Sequence, residues 1–339
     1  MRAIKFFKIF ILLKNLKSMS IKEKWKLLTY GMHLEKIPIF LSSANGKKIP
    51  IIKTLLSNFC VNNCIFCPYR NERKISRTFW KSEELVKITI NLTKSKKVNG
   101  LFLSSGIFKD PEITVEKQIE VVRELRKNGY KNYIHLTLMP GISIDLMKEA
   151  CEYADRVGIN IEYPKAEYYN EAKIYLDYLQ DTLKRIRMLS KVVEYYRKKG
   201  KKIDMVTQFI IGSLDEKDKE ILEIVEWLYK KLNLKRVYFS SFEPIKDTPL
   251  ENKKAESKER EIKLYKASFL IRDYNFSYKD FNYDENGNLI GKDQKNFIQT
   301  KIKEKYCFED LIRFKKIGIK KAKKLNNNFS LINFIKNQN

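Results

Sequence analysis

Histidine is nearly missing from this chain of 339 residues: His33 and His135 are the only two. No HExxH zinc motif occurs, nor does a glycine-rich phosphate loop or an internal repeat. Cysteine is scarce and unevenly spread. Of the five, Cys60, Cys64 and Cys67 fall within eight residues, while Cys151 and Cys307 lie far away. A secreted disulfide framework would distribute an even number through a short chain, so a reducing, cytoplasmic compartment is expected. Long apolar runs are lacking too, and no transmembrane segment is expected. The stretch 1–20 comes nearest, but Lys8 and Lys14 break it, and no small-residue cleavage site follows. Residues 1–24 read as a basic N-terminal extension, with Met19 available as an alternative start; an amphipathic basic arm is the other reading.

Positive charge is what the chain has in excess. There are 68 basic against 41 acidic residues, a formal net charge of +27. That balance suits a polyanionic partner. A second reading stands beside it: 54 of the basic residues are Lys and 14 are Arg, as an A/T-rich genome would produce without selection for binding. The 43% apolar fraction is ample for a core, and the length suits one large domain with a small appendage.

Short β-branched runs alternate with charged helical patterns. The spacing predicts strands at Ile51–Leu56, Gly100–Ser104, Tyr133–Leu138, Arg156–Ile161, Met205–Ile211 and Arg236–Ser241. Helices are predicted at Trp80–Lys97, Val115–Lys127, Ile144–Ala154, Lys173–Lys199 and Lys217–Leu232. Thr114 and Asp215 are candidate N-caps, and Gly129 and Gly200 candidate helix stops. Strand followed by helix, repeated, implies parallel strands with right-handed crossovers. The expected architecture is an α/β fold: a partial (β/α)6 TIM-like barrel over residues 25–250. A helical extension (Lys253–Tyr274) and a polar linker near Asn282–Gly291 make up 251–300. A small basic module at 301–328 and a tail at 329–339 complete the chain. In such barrels chemistry gathers at the C-terminal ends of strands.

The three clustered cysteines follow the first predicted strand directly, in Asn58-Phe59-Cys60-Val61-Asn62-Asn63-Cys64-Ile65-Phe66-Cys67-Pro68. Thiolates suit iron, and three on one loop can wrap a single cubane cluster. Three protein ligands leave one iron open, where S-adenosylmethionine (SAM) can chelate through its amino and carboxylate groups. A zinc knuckle would want four ligands, and the remaining Cys and His are distant in sequence.

The C-x3-C-x2-C spacing, with aromatic Phe66 before the third Cys and a strand before the first, resembles the radical SAM superfamily signature. The resemblance implies a [4Fe–4S] cluster on Cys60, Cys64 and Cys67, with SAM as the second cofactor. It also implies a reductant such as ferredoxin or flavodoxin. Further SAM-binding positions follow from it. Ser104-Ser105-Gly106 stands where the superfamily has a Gly-Gly-Glu-like stretch for the SAM amine, with the carboxylate missing here. Asn160 and Glu162 alternate with apolar neighbours, so period two puts both on one face toward the ligand. Gln208 and the Ile211-Gly212-Ser213 turn resemble the region that supports the adenine. His135 shares a face with Thr137 and is a weaker candidate. The residues acting on the substrate itself are not identified.

Five stretches resemble one narrower family: GLFLSSGIF (100–108), YIHLTLMPG (133–141), VGINIEYP (157–164), TQFIIGSLDE (207–216) and LKRVYFSSFEP (234–244). These are the DNA modification or repair radical SAM proteins that carry a C-terminal helix–hairpin–helix. That likeness implies DNA as partner and a uracil-DNA-glycosylase-like protein alongside. Residues 311–325, LIRFKKIGIKKAKKL, fit the hairpin: Gly318 in the turn, with Lys316, Lys320 and Lys321 facing phosphate. Lys316 replaces the usual first turn glycine. Three functions are open on the sequence: a radical SAM enzyme acting on DNA, one acting on tRNA or rRNA, and a nucleic-acid-binding protein with a structural cluster.

Overall fold

A computed structural model describes residues 19–29, 39–44, 47–291 and 305. Residues 1–18 of the 1–24 extension, His33, Cys307 and the residues Lys316, Gly318, Lys320 and Lys321 of the expected hairpin lie outside the described residues, while 21–24 begin a helix.

The strands form one sheet in sequence order. They are β1 (Ile39–Ala44), β2 (Lys47–Leu55), β3 (Gly100–Ser104), β4 (Tyr133–Leu138), β5 (Arg156–Ile159), β6 (Asp204–Ile211) and β7 (Arg236–Ser241). All pairings from β2 to β7 are parallel. The sheet curls as an open half-barrel, the partial TIM barrel expected. Strand β1 is an addition: it pairs antiparallel with β2, placing Leu41 opposite Pro50. Proline lacks a ladder donor, so Pro50 and the lysines before it conceal the first half of β2 in the sequence.

Helices cover the convex side: α1 (Ile21–Leu28), α2 (Ser82–Lys94), α3 (Pro111–Lys127), α4 (Ile144–Tyr153), α5 (Ala166–Glu171), α6 (Lys184–Lys198), α7 (Asp218–Leu232) and α8 (Lys258–Tyr274). A π-helical turn, Tyr178–Leu183, interrupts the long helix expected at 173–199. Two helix starts differ from expectation. Asp110 caps α3 by accepting from Ile113 N at 2.8 Å, while Thr114 sits inside the first turn. Helix α7 begins after Lys217, whose N–H donates to Glu220; Asp215 stays exposed. Gly129 and Gly200 follow the ends of α3 and α6 with positive φ, as expected. Among the described residues no helix is long and apolar enough to cross a membrane.

Residues 282–291 are a tight antiparallel turn, not a loose linker. Tyr283 bridges Leu289, and Asp218 of α7 accepts from Leu289 N at 2.9 Å.

An open sheet leaves an edge whose unpaired backbone groups would recruit another strand. On β7 that edge is satisfied by side chains. Val237 N donates to the Tyr229 hydroxyl at 2.9 Å, Phe239 N to the Tyr265 hydroxyl at 3.0 Å, and Ser241 N to Glu261 at 3.1 Å. The Tyr265 hydroxyl in turn donates to Phe239 O at 3.0 Å. One phenol on α8 therefore serves as both donor and acceptor for one strand residue.

Tyr265→Phe keeps the ring but strands a buried N–H and a C=O. Two orphaned groups should cost about 1–3 kcal/mol of stability, measured by urea unfolding. A variant within about 0.3 kcal/mol of wild type would show that water replaces the phenol.

Candidate cluster and cofactor site

The cysteine loop leaves the end of β2 between two supports. On one side Asn58 substitutes for a strand: its amide pairs with Thr78 O at 3.2 Å, its Oδ1 accepts from Thr78 N at 2.7 Å, and its Nδ2 donates to Ser76 O at 3.0 Å. On the other, Gly106 N donates to Ser57 O at 2.8 Å and Val61 N to Ile107 O at 2.9 Å. The two backbones approach so closely that a Cβ on Gly106 would lie 2.4 Å from Phe59 O. Only glycine fits there. Ser105 Oγ donates to Gly106 O at 2.7 Å, and Ser104 O accepts from Leu56 N at 2.7 Å. The Ser104-Ser105-Gly106 stretch thus forms the bed of the loop.

Further along, Asn62 is buried and ties two segments: its Oδ1 accepts from Tyr175 N at 3.1 Å and its carbonyl from Asn71 N at 2.7 Å. Ile65 N donates to Ala172 O at 3.0 Å. Then Arg77 closes the loop. Its guanidinium donates to the carbonyls of Asn58 and Tyr69 through one nitrogen, and of Arg70 and Arg73 through the other. Four carbonyls from both sides of the cysteines are held by one planar cation, a use that the fixed fork of Arg permits and Lys does not.

Inside this frame the charges of Cys60 and Cys67 bear on Cys64, and that of Cys60 bears on Cys67. Burial pushes the Cys60 thiol up and the Cys64 thiol well up; neighbouring cysteines add to the rise at Cys64. Cys67 is raised to about 12 by burial first and then by Cys60, although Tyr69 N donates to its Sγ at 3.4 Å. Thiolates so disfavoured need compensating positive charge, and Arg77 acts in that direction on Cys60 and Cys67. Among the described residues no three His, Cys, Asp or Glu side chains converge as ligands of a single ion. Three soft thiolate donors on one loop suit iron at three corners of a cube, whereas a structural zinc site wants four ligands. The donor set therefore fits a cubane cluster that Cys60, Cys64 and Cys67 could hold.

Asn160 and Glu162 come together, but not by strand alternation. Strand β5 ends at Ile159, and the chain bulges: Ile161 N and Glu162 N both donate to Gln208 O, at 3.2 and 3.0 Å. Thr207 Oγ1 fills the gap, accepting from Ile161 N at 3.1 Å and donating to Ile159 O at 2.7 Å. Glu162 sits at φ +61, a conformation costing about 1–3 kcal/mol for a residue with a side chain. Its carbonyl, accepting from Ile210 N at 3.0 Å, helps hold it there. The Glu162 carboxyl keeps some exposure yet is packed round by protein, as in a recess. Burial raises it to about 7, against an opposing hydrogen bond from Asn160. Its charge also raises Cys64 and Cys67.

Phe66 meets Tyr163 edge-on at 5.9 Å, and the Tyr163 hydroxyl shares a 2.7 Å hydrogen bond with Ser213. Gly212 is left-handed at φ +79, and a Cβ there would strike Glu256 at 2.4 Å. Its turn is fixed by buried Glu216, which accepts from Gly212 N and from Leu214 N at 3.2 Å and pairs with Arg260. Gln208 offers its backbone to the bulge and a half-buried side chain. So the loop after β2 and the ends of β5 and β6 meet. Cys151 is buried in helix α4. His135 lies lower on the sheet, its pKa driven well below the ordinary value by burial, then Arg156 and Lys53.

No role for Arg77, Asn58, Asn62 or Tyr163 was anticipated from the sequence. One signal existed: in a chain with few arginines, Arg70, Arg73 and Arg77 cluster just after the cysteines.

The Radical SAM superfamily family model matches residues 54–228, just over half of the chain. No curated protein matches. Among solved structures, methylornithine synthase (PylB) aligns with TM-score 0.51 at 18% identity, covering 66% of this chain and 61% of that one. The FeFe-hydrogenase maturase HydG from Carboxydothermus hydrogenoformans aligns at 0.50 and 17%, covering 75% and 56%. The chain spans less than two thirds of either structure, and at these identities the likeness is one of fold.

After anaerobic reconstitution, Cys60→Ala, Cys64→Ala and Cys67→Ala should each lose the cluster absorption and most iron, while Cys151→Ala retains both. Arg77→Met should release iron to a chelator at least about tenfold faster than wild type, and Arg77→Lys should rescue only partly. Equal release from wild type and Arg77→Met would contradict the clamp.

Proposed function

This chain belongs to the radical SAM superfamily, and on that premise we propose that Cys60, Cys64 and Cys67 ligate its [4Fe–4S] cluster and that its radical acts on DNA. The protein is an enzyme that cleaves SAM and needs a reductant to do so. Held by Cys60, Cys64 and Cys67, a [4Fe–4S] cluster would supply the electron for reductive cleavage of a carbon–sulfur bond of SAM. The chain's own residues position and shield. Arg77 holds the loop and offsets thiolate charge. Glu162, with Asn160, presents a carboxylate to the SAM amine, taking over from the residue missing after Ser104-Ser105-Gly106. Phe66 and Tyr163 wall the site against water, and Gln208 and the Gly212 turn support the adenine. The observation carrying this reading is the packing of the cysteine loop against the end of β5, where Phe66 meets Tyr163 next to Glu162.

Two features support DNA as substrate. The five stretches named above are similar to the DNA modification or repair proteins. Residues 301–339 carry eleven basic and three acidic residues, a balance of +8. In this reading Gly318, Lys316, Lys320 and Lys321 contact phosphate without reading sequence, and a uracil-DNA-glycosylase-like protein works alongside. A base target in a duplex must be extruded to reach the radical, at a cost of a few kcal/mol, so damaged or unpaired bases are favoured.

Glu162→Gln should reduce release of 5′-deoxyadenosine by reduced enzyme while leaving iron content unchanged. Undiminished cleavage would remove Glu162 from the SAM site. Full-length protein should bind duplex DNA with a log affinity–log salt slope near about −3, corresponding to about three phosphates. Deleting 301–339 should weaken that binding and spare cluster assembly. A truncated protein that binds as tightly, or a full chain that prefers structured RNA at matched salt, would overturn the DNA reading.

A further inference from the structure

The concave face of the sheet carries positive charge that the thiol site does not use. In register across the strands, Lys53 of β2 pairs with Phe102, Phe102 with His135, His135 with Arg156, and Arg156 with Asp204. Alternation places these residues on the face away from the helices. Two cations therefore share one layer with one carboxylate. That carboxylate is taken: Arg156 donates to Asp204 at 2.9 Å and to the Tyr238 hydroxyl at 3.1 Å. Among the described residues the buried Nε–H of Arg156 has no hydrogen-bond partner.

Lys53 is the exceptional member. Its ammonium lies 5.0 Å from the Phe40 ring and 5.5 Å from the Phe102 ring, and among the described residues it has no hydrogen-bond or ion-pair acceptor. His135 meets the same Phe102 ring edge-on at 4.6 Å. Ring faces compensate a desolvated ammonium only in part. Burial accordingly pulls the Lys53 pKa down. Enclosed by aromatics, partly open and without an anion among the described residues, Lys53 has the environment of a group completed by a ligand.

Its depth suits a substrate. Lys53 lies two residues before Leu55, where β2 ends, so about 7 Å below the strand end from which the cysteine loop departs. A molecule whose reactive carbon lies near the thiols would extend its far end toward Lys53.

We propose that the concave face holds an oxyanion site, with Lys53 as its direct contact, that receives a phosphate or carboxylate of the substrate. The source of the anion follows the reading above: if the substrate is a nucleotide the group is phosphate, and if it is a small acid, a carboxylate. The site itself does not depend on that choice.

The test uses full-length, cluster-loaded protein saturated with SAM, titrated anaerobically in a calorimeter with thymidine 5′-monophosphate, thymidine, inorganic phosphate and succinate. Wild type should bind at least one of the anions, and thymidine more weakly than its monophosphate. Lys53→Met should weaken anion binding at least about tenfold, as loss of one charge-assisted contact implies, while Lys53→Arg stays within a few-fold. Iron content and melting temperature establish that each variant is folded; should Lys53→Met fail there, Lys53→Gln serves. Binding of thymidine monophosphate sensitive to Lys53 supports both the site and the nucleic-acid reading. Binding of succinate alone, equally sensitive, supports the site and counts against nucleic acid. Absence of anion binding, or binding unaltered in Lys53→Met, overturns the site whatever the substrate.

Discussion

Everything proposed for this protein depends on four carbonyl oxygens pointing at one guanidinium. The loop between β2 and α2 contains no regular structure to fix it, and its three thiols repel one another once ionised. Arg77 addresses both difficulties. It ties Asn58, before the cysteines, to Tyr69, Arg70 and Arg73, after them. It also brings a permanent positive charge to Cys60 and Cys67. A loop held this way loses less conformational entropy when it acquires a cluster than a free loop would. Gly106 completes the frame by permitting a backbone approach that any Cβ would prevent.

The remainder of the fold keeps the concave face available. A closed barrel removes its edges by pairing them, but fills its interior with side chains. Here the β7 edge is satisfied instead by Tyr229, Tyr265 and Glu261. The sheet can then remain open without exposing a strand to aggregation. Openness also explains how polar groups, Lys53 and Arg156 among them, persist on the inner face. Local strain is spent at the rim: the left-handed Glu162 and the bulge around Thr207 redirect the chain past the end of β5, and backbone bonds to β6 hold it there.

The sequence made the parallel core and the cysteine triad legible, because both are encoded locally. Hydrophobic runs mark strands, and ligand spacing on one loop is a feature of neighbouring residues. Strand β1 was hidden, since Ile39–Ala44 is short and its partner begins with two lysines and Pro50. The pairing of Asn160 with Glu162 was anticipated from alternation, yet β5 ends before either and Thr207, nearly fifty residues later, makes the connection. Arg77 was illegible for a related reason: its partners are backbone carbonyls, which leave no pattern in side-chain identities. Asp110 rather than Thr114 caps α3 because Pro111 suits the first helical position. Apart from Lys305, residues 301–328, which the sequence reads as a hairpin, lie outside the described residues, so their charge speaks only through the sequence.

Mössbauer spectroscopy of iron-57-enriched protein, recorded with and without SAM, tests the central claim most directly. If Cys60, Cys64 and Cys67 are the only protein ligands, one iron of the cube differs from the others, and its signal shifts when SAM binds. Four equivalent thiolate-bound irons, unchanged by SAM, would contradict the account, because they would require a fourth protein sulfur and leave no position at which SAM could be cleaved.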